Sequence, residues 1–183
     1  MKAKLRLATL LVALTSGSIL IPAVAHAIDS ASLEYGTGRK VDMLRAGVQW
    51  EWNKQWWKSN GTHIGGYWDL TLAQWRASQF RNIPGNSENI YDLGLTPVFR
   101  FQSDPKTGFY AELGIGVHYL HRLYDNNGKR LSTRFQFGDH LGIGYVFPNK
   151  LDVGLKIQHF SNGSIKKPND GADFAVLRVS YPL

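Results

Sequence analysis

Apolar and polar side chains alternate with period two along most of the chain. That is the pattern of β-strands with one face toward a hydrophobic phase and the other away from it. From Met43 to Trp52, Leu44, Ala46, Val48, Trp50 and Trp52 share one parity, and Arg45, Gly47, Gln49 and Glu51 hold the other. Tyr91, Leu93, Leu95, Pro97, Phe99 and Phe101 alternate in the same way with Asp92, Thr96, Arg100 and Gln102. The sets from Phe109 to Leu120, Leu151 to Gln158 and Ala175 to Leu183 repeat the pattern. Eight segments result, at 31–38, 42–53, 64–77, 89–102, 108–120, 132–147, 151–161 and 173–183. The fold class predicted is all-β, an eight-stranded antiparallel barrel.

Two architectures satisfy this pattern. A soluble lipocalin-like barrel turns the apolar set inward, and a transmembrane barrel turns it out to lipid. The polar set here contains Arg45, Glu51, Asp92, Arg100, Glu112, Lys156 and Arg178. An eight-strand barrel has an interior just filled by side chains, so opposite charges can pair within it. An even strand number and several segments of about ten residues suit an outer-membrane barrel. Trp50, Trp52, Trp56, Trp57, Tyr119, Tyr145, Phe147 and Tyr181 fall at strand ends, as in interfacial girdles. With both chain termini periplasmic, 103–107 and 148–150 are short periplasmic turns, and 54–63 is a longer one. The connections at 78–88, 121–131 and 162–172 then face the exterior.

Composition fits this picture. Residues 1–27 read as a secretory signal, with Lys2, Lys4 and Arg6, an apolar run from Leu7 to Ile21, and Ala25-His26-Ala27 at the cleavage site. The alternative, an uncleaved anchor, is disfavoured by the Thr15-Ser16-Gly17-Ser18 interruption and by a length short of the ~20 residues a span needs. Residues 28–183 form a single domain. Removal of the signal lowers Lys+Arg from 21 to 18 against 14 Asp+Glu, a net charge of +4. This is a weak attraction to anionic surfaces, without the basic clusters interleaved with aromatics that nucleic-acid binding requires. The chain has no cysteine, so it holds together without disulfides, and full closure of a sheet is one means of doing so.

Gln158-His159-Phe160-Ser161-Asn162-Gly163-Ser164 carries the candidate chemistry. Residues i and i+2 of a strand project from one face, so His159 and Ser161 are neighbours, a base beside a hydroxyl nucleophile. Their parity continues that of Leu155 and Ile157, the lipid-facing set, where polar groups are costly unless used. A strand that has already left the membrane at residue 159 explains the pair equally well. The imidazole also needs an orienting acid. Asp173 faces outward at the start of the last strand, and pairing Ser161 opposite Asp173 puts His159 one diagonal step away. Asp139 is the rival: it lies opposite His159 if Phe147 pairs with Leu151, unless a bulge near Gly138 turns it inward. His118 and His140 read as interior residues.

His159-Phe160-Ser161-Asn162, then Pro168-Asn169-Asp170-Gly171 and an acid two residues on, resembles the lipid A 3-O-deacylase (PagL) family of Gram-negative outer membranes. His140-Leu141-Gly142-Ile143-Gly144-Tyr145 is similar to that family too. The specific likeness spans 135–183. It implies an eight-strand barrel that hydrolyses the 3-position acyl ester of lipid A. His159 is then the base, Ser161 the nucleophile and Asp173 the acid, one methylene shorter than Glu. Asn169 is an oxyanion donor, and Asn162 a second candidate. The resemblance implies no cofactor and no metal. The partners are lipid A within lipopolysaccharide and the surrounding outer-membrane lipids; a homodimer is compatible with it. Lys166 and Lys167 are either phosphate-attracting or simply solvated. An outer-membrane phospholipase and a structural or adhesive barrel are the competing functions.

Overall fold

The computed structural model describes residues 27–183; the signal expected at 1–27 lies outside the described residues except for Ala27. Eleven strands and no helix occur among the described residues. They are β1 (Ser30–Gly38), β2 (Val41–Glu51), β3 (Trp56–Ser59), β4 (Thr62–Ala77), β5 (Glu88–Ser103), β6 (Gly108–Leu120), β7 (Asp125–Asn126), β8 (Lys129–Arg130), β9 (Phe135–Val146), β10 (Asp152–Ser161) and β11 (Ala172–Pro182). The eight long strands run in the order β2-β1-β11-β10-β9-β6-β5-β4, and β4 pairs back onto β2. Every pairing is antiparallel, and the ring closes from Val41↔Ala77 to Glu51↔Tyr67. Closure leaves no long edge.

The eight segments read from alternation match the eight wall strands within three residues at each end. The short elements escape that reading. β3 pairs with the start of β4 (Trp56↔Ile64) and accounts for the unusually long turn after β2. β7 and β8 form a small hairpin within the loop between β6 and β9. Both are too short to show a period.

The apolar parity faces out. Leu33, Leu44, Leu72, Leu93, Leu113, Ile115, Leu141, Ile143, Leu155, Ile157 and Leu177 are all exposed on the outer wall. Buried surface would be their place in a soluble protein; here they meet acyl chains. Near the short turns, Trp52 packs edge to face on Phe99 (4.9 Å) and Trp68 (6.0 Å), and Tyr145 on Phe109 (4.9 Å). Phe135 and Phe137 (5.1 Å) stand toward the other end. These are the two aromatic belts of a membrane barrel.

The lumen has two layers. From its middle to the turn end it is ionic. Glu34 accepts from Arg45 Nε (2.7 Å) and Lys156 Nζ (2.8 Å), and Asp152 accepts from Arg100 (2.9 Å), Arg178 (2.9 Å) and Tyr110 (2.6 Å). Arg100 also reaches Glu112 at 2.7 Å. Toward the loop end the lumen is apolar, filled by Met43, Trp75, Ile90, Leu120, Tyr124, Leu131, Phe160 and Phe174. His118 and His140 are buried in the interior, His118 with Nδ1 3.0 Å from Asp92.

Glu34 serves three cations, Arg45, Lys156 and, at 3.7 Å, Arg178. Glu34→Ala strands these charges in a closed space. A broken buried pair costs about 3–5 kcal/mol. The variant is expected to unfold at clearly lower temperature in detergent, followed by loss of the fast-migrating folded band on unheated gels.

Candidate active site

β10 keeps the same faces but exchanges their polarity at the loop end. Below, Lys156 and Gln158 face in and Leu155 and Ile157 face out; at the top Phe160 faces in while His159 and Ser161 face out. β11 does the same, with Phe174 inside and Asp173 outside. Inside, Phe160 and Phe174 pack on Trp75, with ring centroids 4.6 and 5.0 Å away. Burial of these rings keys the strand faces, and so sets three polar groups on the lipid side.

His159 pairs directly with Asp173 across β10–β11, and with Asp139 across β9–β10. The register on the β11 side is therefore two residues from the one that sets Ser161 opposite Asp173. On the β9 side it is the one in which Asp139 lies opposite His159. The ladder is regular at Gly138, so no bulge turns Asp139 inward. His159 Nδ1 is 2.6 Å from Asp173 Oδ1; among the described residues, Asp139 has no hydrogen bond to His159. Side-chain exposures of 43% for His159 and 61% for Asp173 leave the pair open to lipid. Nδ1–H donation to a carboxylate leaves Nε2 as the free basic nitrogen. Ser161 Oγ takes a 3.5 Å hydrogen bond from the Gly163 amide and none from His159.

The loop 162–171 carries the other candidates. Asn169 Oδ1 accepts from the Asn162 amide at 2.8 Å, which orients the Asn169 side chain and leaves its NH₂ free to donate. Asn162 is turned the other way. Its side chain is fully buried, and its NH₂ is spent on Lys166 O (2.7 Å) and Ser132 Oγ (3.2 Å). Both its donors here hold the loop together. Lys166 and Lys167 are exposed on the same loop.

Gly171 was not legible as a site residue. Its φ is +73°, and a Cβ there would sit 2.6 Å from His159 Cε1. The imidazole thus rests on bare backbone. In the sequence Gly171 appears as the end of the Pro168-Asn169-Asp170-Gly171 motif and as part of an Asp-Gly turn dipeptide, neither of which points to contact with the imidazole. Beside the site, Leu113, Ile115, Leu141 and Ile157 line a shallow depression in the outer wall that reaches Asp139, His159 and Asp173. No cluster of metal-ligating side chains occurs among the described residues.

Fold and side chains together define an integral membrane β-barrel that carries a serine, an imidazole and a carboxylate on its lipid face, the groups used by serine hydrolases. The family model described as Lipid A 3-O-deacylase (PagL) matches residues 42–182, and the chain belongs to that family. Two relatives named Lipid A deacylase PagL are each 33% identical. The one from Pseudomonas aeruginosa aligns over 88% of this chain and 90% of its own length, and the one from Bordetella bronchiseptica over 82% and 81%. A crystal structure titled as the outer membrane enzyme PagL superposes with a TM-score of 0.72 at 27% identity, covering 84% of this chain and 99% of that one. The protein is accordingly an outer-membrane barrel, and its relatives' shared activity makes it a hydrolase.

Proposed function

We propose that the chain is a lipid A 3-O-deacylase that works as a serine esterase from its own wall. The observation that carries this is the 2.6 Å His159–Asp173 pair beside Ser161 on the lipid-facing side, in a chain of this family. The loop end of the barrel, with the three long connections, is the exterior end, so the site meets the outer leaflet where lipid A resides. Substrate arrives by lateral diffusion, and the depression along Leu113, Ile115, Leu141 and Ile157 receives apolar chain.

Ser161 Oγ attacks the ester carbonyl as its proton passes to His159 Nε2. Asp173 stabilises the imidazolium that forms. The Asn169 NH₂ stabilises the tetrahedral oxyanion, a role that becomes effective where water is excluded. Collapse expels the sugar 3-oxygen, which takes the proton from His159. Water, deprotonated by His159, then cleaves the acyl-serine and releases a 3-hydroxy fatty acid. His159 moves toward Ser161 in this cycle, since apo geometry of such pairs is often loose.

Mass spectrometry of lipid A from cells that express the protein tests the reading. Loss of one 3-hydroxyacyl group supports it. Unchanged lipid A with cleaved phospholipid, or no lipid change from a folded barrel, refutes it. The same assay separates the two acids. Asp173→Ala is expected to slow hydrolysis by roughly 10²–10⁴-fold, the range for loss of an orienting acid, whereas Asp139→Ala leaves the rate near that of the unaltered protein. The reverse result would assign the acid role to Asp139.

A further inference from the structure

Asp173 has a second partner. While Oδ1 meets His159, Oδ2 lies 3.4 Å from the Nζ of Lys129, which comes from β8 in the exterior loop, 44 residues away in sequence. We propose that Lys129 is a positioning residue of the hydrolytic site, and that the segment from Lys129 to Ser132 is a strap that holds both the acid and the oxyanion loop. This rests on the esterase reading above.

The strap is built on backbone. Asp170 N donates to Arg130 O (3.0 Å), and Arg130 N donates to Asp170 Oδ2 (2.8 Å). Leu131 forms a β-bridge with Asn169, and Ser132 N donates to Pro168 O (3.1 Å). Ser132 Oγ adds a bond to Lys166 O at 2.6 Å. Leu131 itself is buried in the mouth of the lumen, 1% exposed. On its far side the hairpin is tied to the loop after β4, through Arg81 N to Asp125 O (2.9 Å) and Asn127 N to Gln79 O (3.0 Å). The Lys129 backbone is therefore fixed from both flanks, and only its side chain is free to move. An isolated surface ion pair between long mobile side chains is worth little; a pair with one backbone so anchored can still restrict rotation of a carboxylate.

Such restriction matters because Asp173 is more than half exposed. Free to turn, it would share its oxygens with solvent. Lys129 on Oδ2 keeps Oδ1 at Nδ1. The charged groups around the imidazole are then Asp139 on β9, Asp173 on β11 and Lys129 on β8. Lys129 offsets one of the two carboxylates that flank His159.

The test compares Lys129→Ala, Lys129→Arg and Lys129→Glu in the full-length barrel, with folding followed by migration on unheated gels. Lys129→Ala is expected to lower kcat about two- to fivefold with KM unchanged, the scale of an exposed pair. Lys129→Arg restores the rate, and Lys129→Glu, which sets like charge against Asp173, loses more. In an Asp173→Ala background, Lys129→Ala adds no further loss, as coupling through one partner requires. A rise in KM alone makes Lys129 a substrate contact and overturns the proposal, as does an unchanged kcat or a loss that persists without Asp173. The nitrogen-15 NMR signal of the His159 Nδ1–H gives a readout free of activity. It should shift or broaden in Lys129→Ala and be kept in Lys129→Arg, whichever lipid is cleaved; an unmoved signal refutes the strap even if the deacylase reading fails.

Discussion

Ser161→Ala is expected to abolish release of the acyl chain while the barrel stays folded. Removal of the nucleophile from a serine hydrolase costs roughly 10⁴- to 10⁶-fold in kcat. Binding should survive, because the wall depression and the exterior loops are untouched. Stability should survive as well. Ser161 is the last residue of β10, partly exposed, and its hydroxyl has only the long 3.5 Å contact from Gly163. Substitutions at such positions fall within about ±0.5 kcal/mol. The measurement is lipid A mass from cells with equal amounts of folded barrel. Residual deacylation above about one part in a hundred would mean that a different group makes the attack. Water activated by His159 is the obvious substitute, and absence of an acyl-enzyme in rapid-quench experiments would then distinguish it.

Gly171→Ala should also give a large effect, from a residue that carries no reactive group. The φ of +73° disfavours any side chain, at a cost of about 1–3 kcal/mol. The added methyl would also stand 2.6 Å from His159 Cε1, a distance that real carbon contacts do not adopt. The ring is the movable partner, so it must leave its place against the backbone and loosen its bond to Asp173. A 1 Å misplacement of a reacting group costs on the order of 100-fold, and a loss of that size in kcat is expected. The check is a double variant. With His159→Ala already present, Gly171→Ala should remove little more activity, since both act through the ring. Independent losses that multiply would show that Gly171 acts on the loop and not on the imidazole.

The alternation of side chains was sufficient to define the wall strands, their number and the lipid-facing parity, because a membrane barrel has to satisfy the same two-residue period on every strand. Placing polar His159 and Ser161 on the apolar parity singles them out as candidates, and the structure keeps both on the outer face of β10. The acid was not decidable in this way. Asp139 and Asp173 share the outward parity, and both end up beside His159. Which one bonds Nδ1 depends on side-chain reach across two ladders, and sequence periodicity contains nothing about reach.

Three further features existed only in three dimensions. Asn162 looks like a donor beside the nucleophile, yet even parity turns it inward, where the loop consumes its hydrogen bonds. Lys129 and Gly171 touch the site through a hairpin of two-residue strands and a left-handed backbone, neither of which produces a periodic signal. The apolar upper lumen, centred on Trp75, joins residues from β4, β10 and β11 that no local pattern relates. Sequence by itself determined what repeats from strand to strand: the closed sheet and its faces, and with the faces the shared side of His159 and Ser161. Tertiary structure alone decided what is made once, by contacts between distant segments, because a single contact leaves no period to be read.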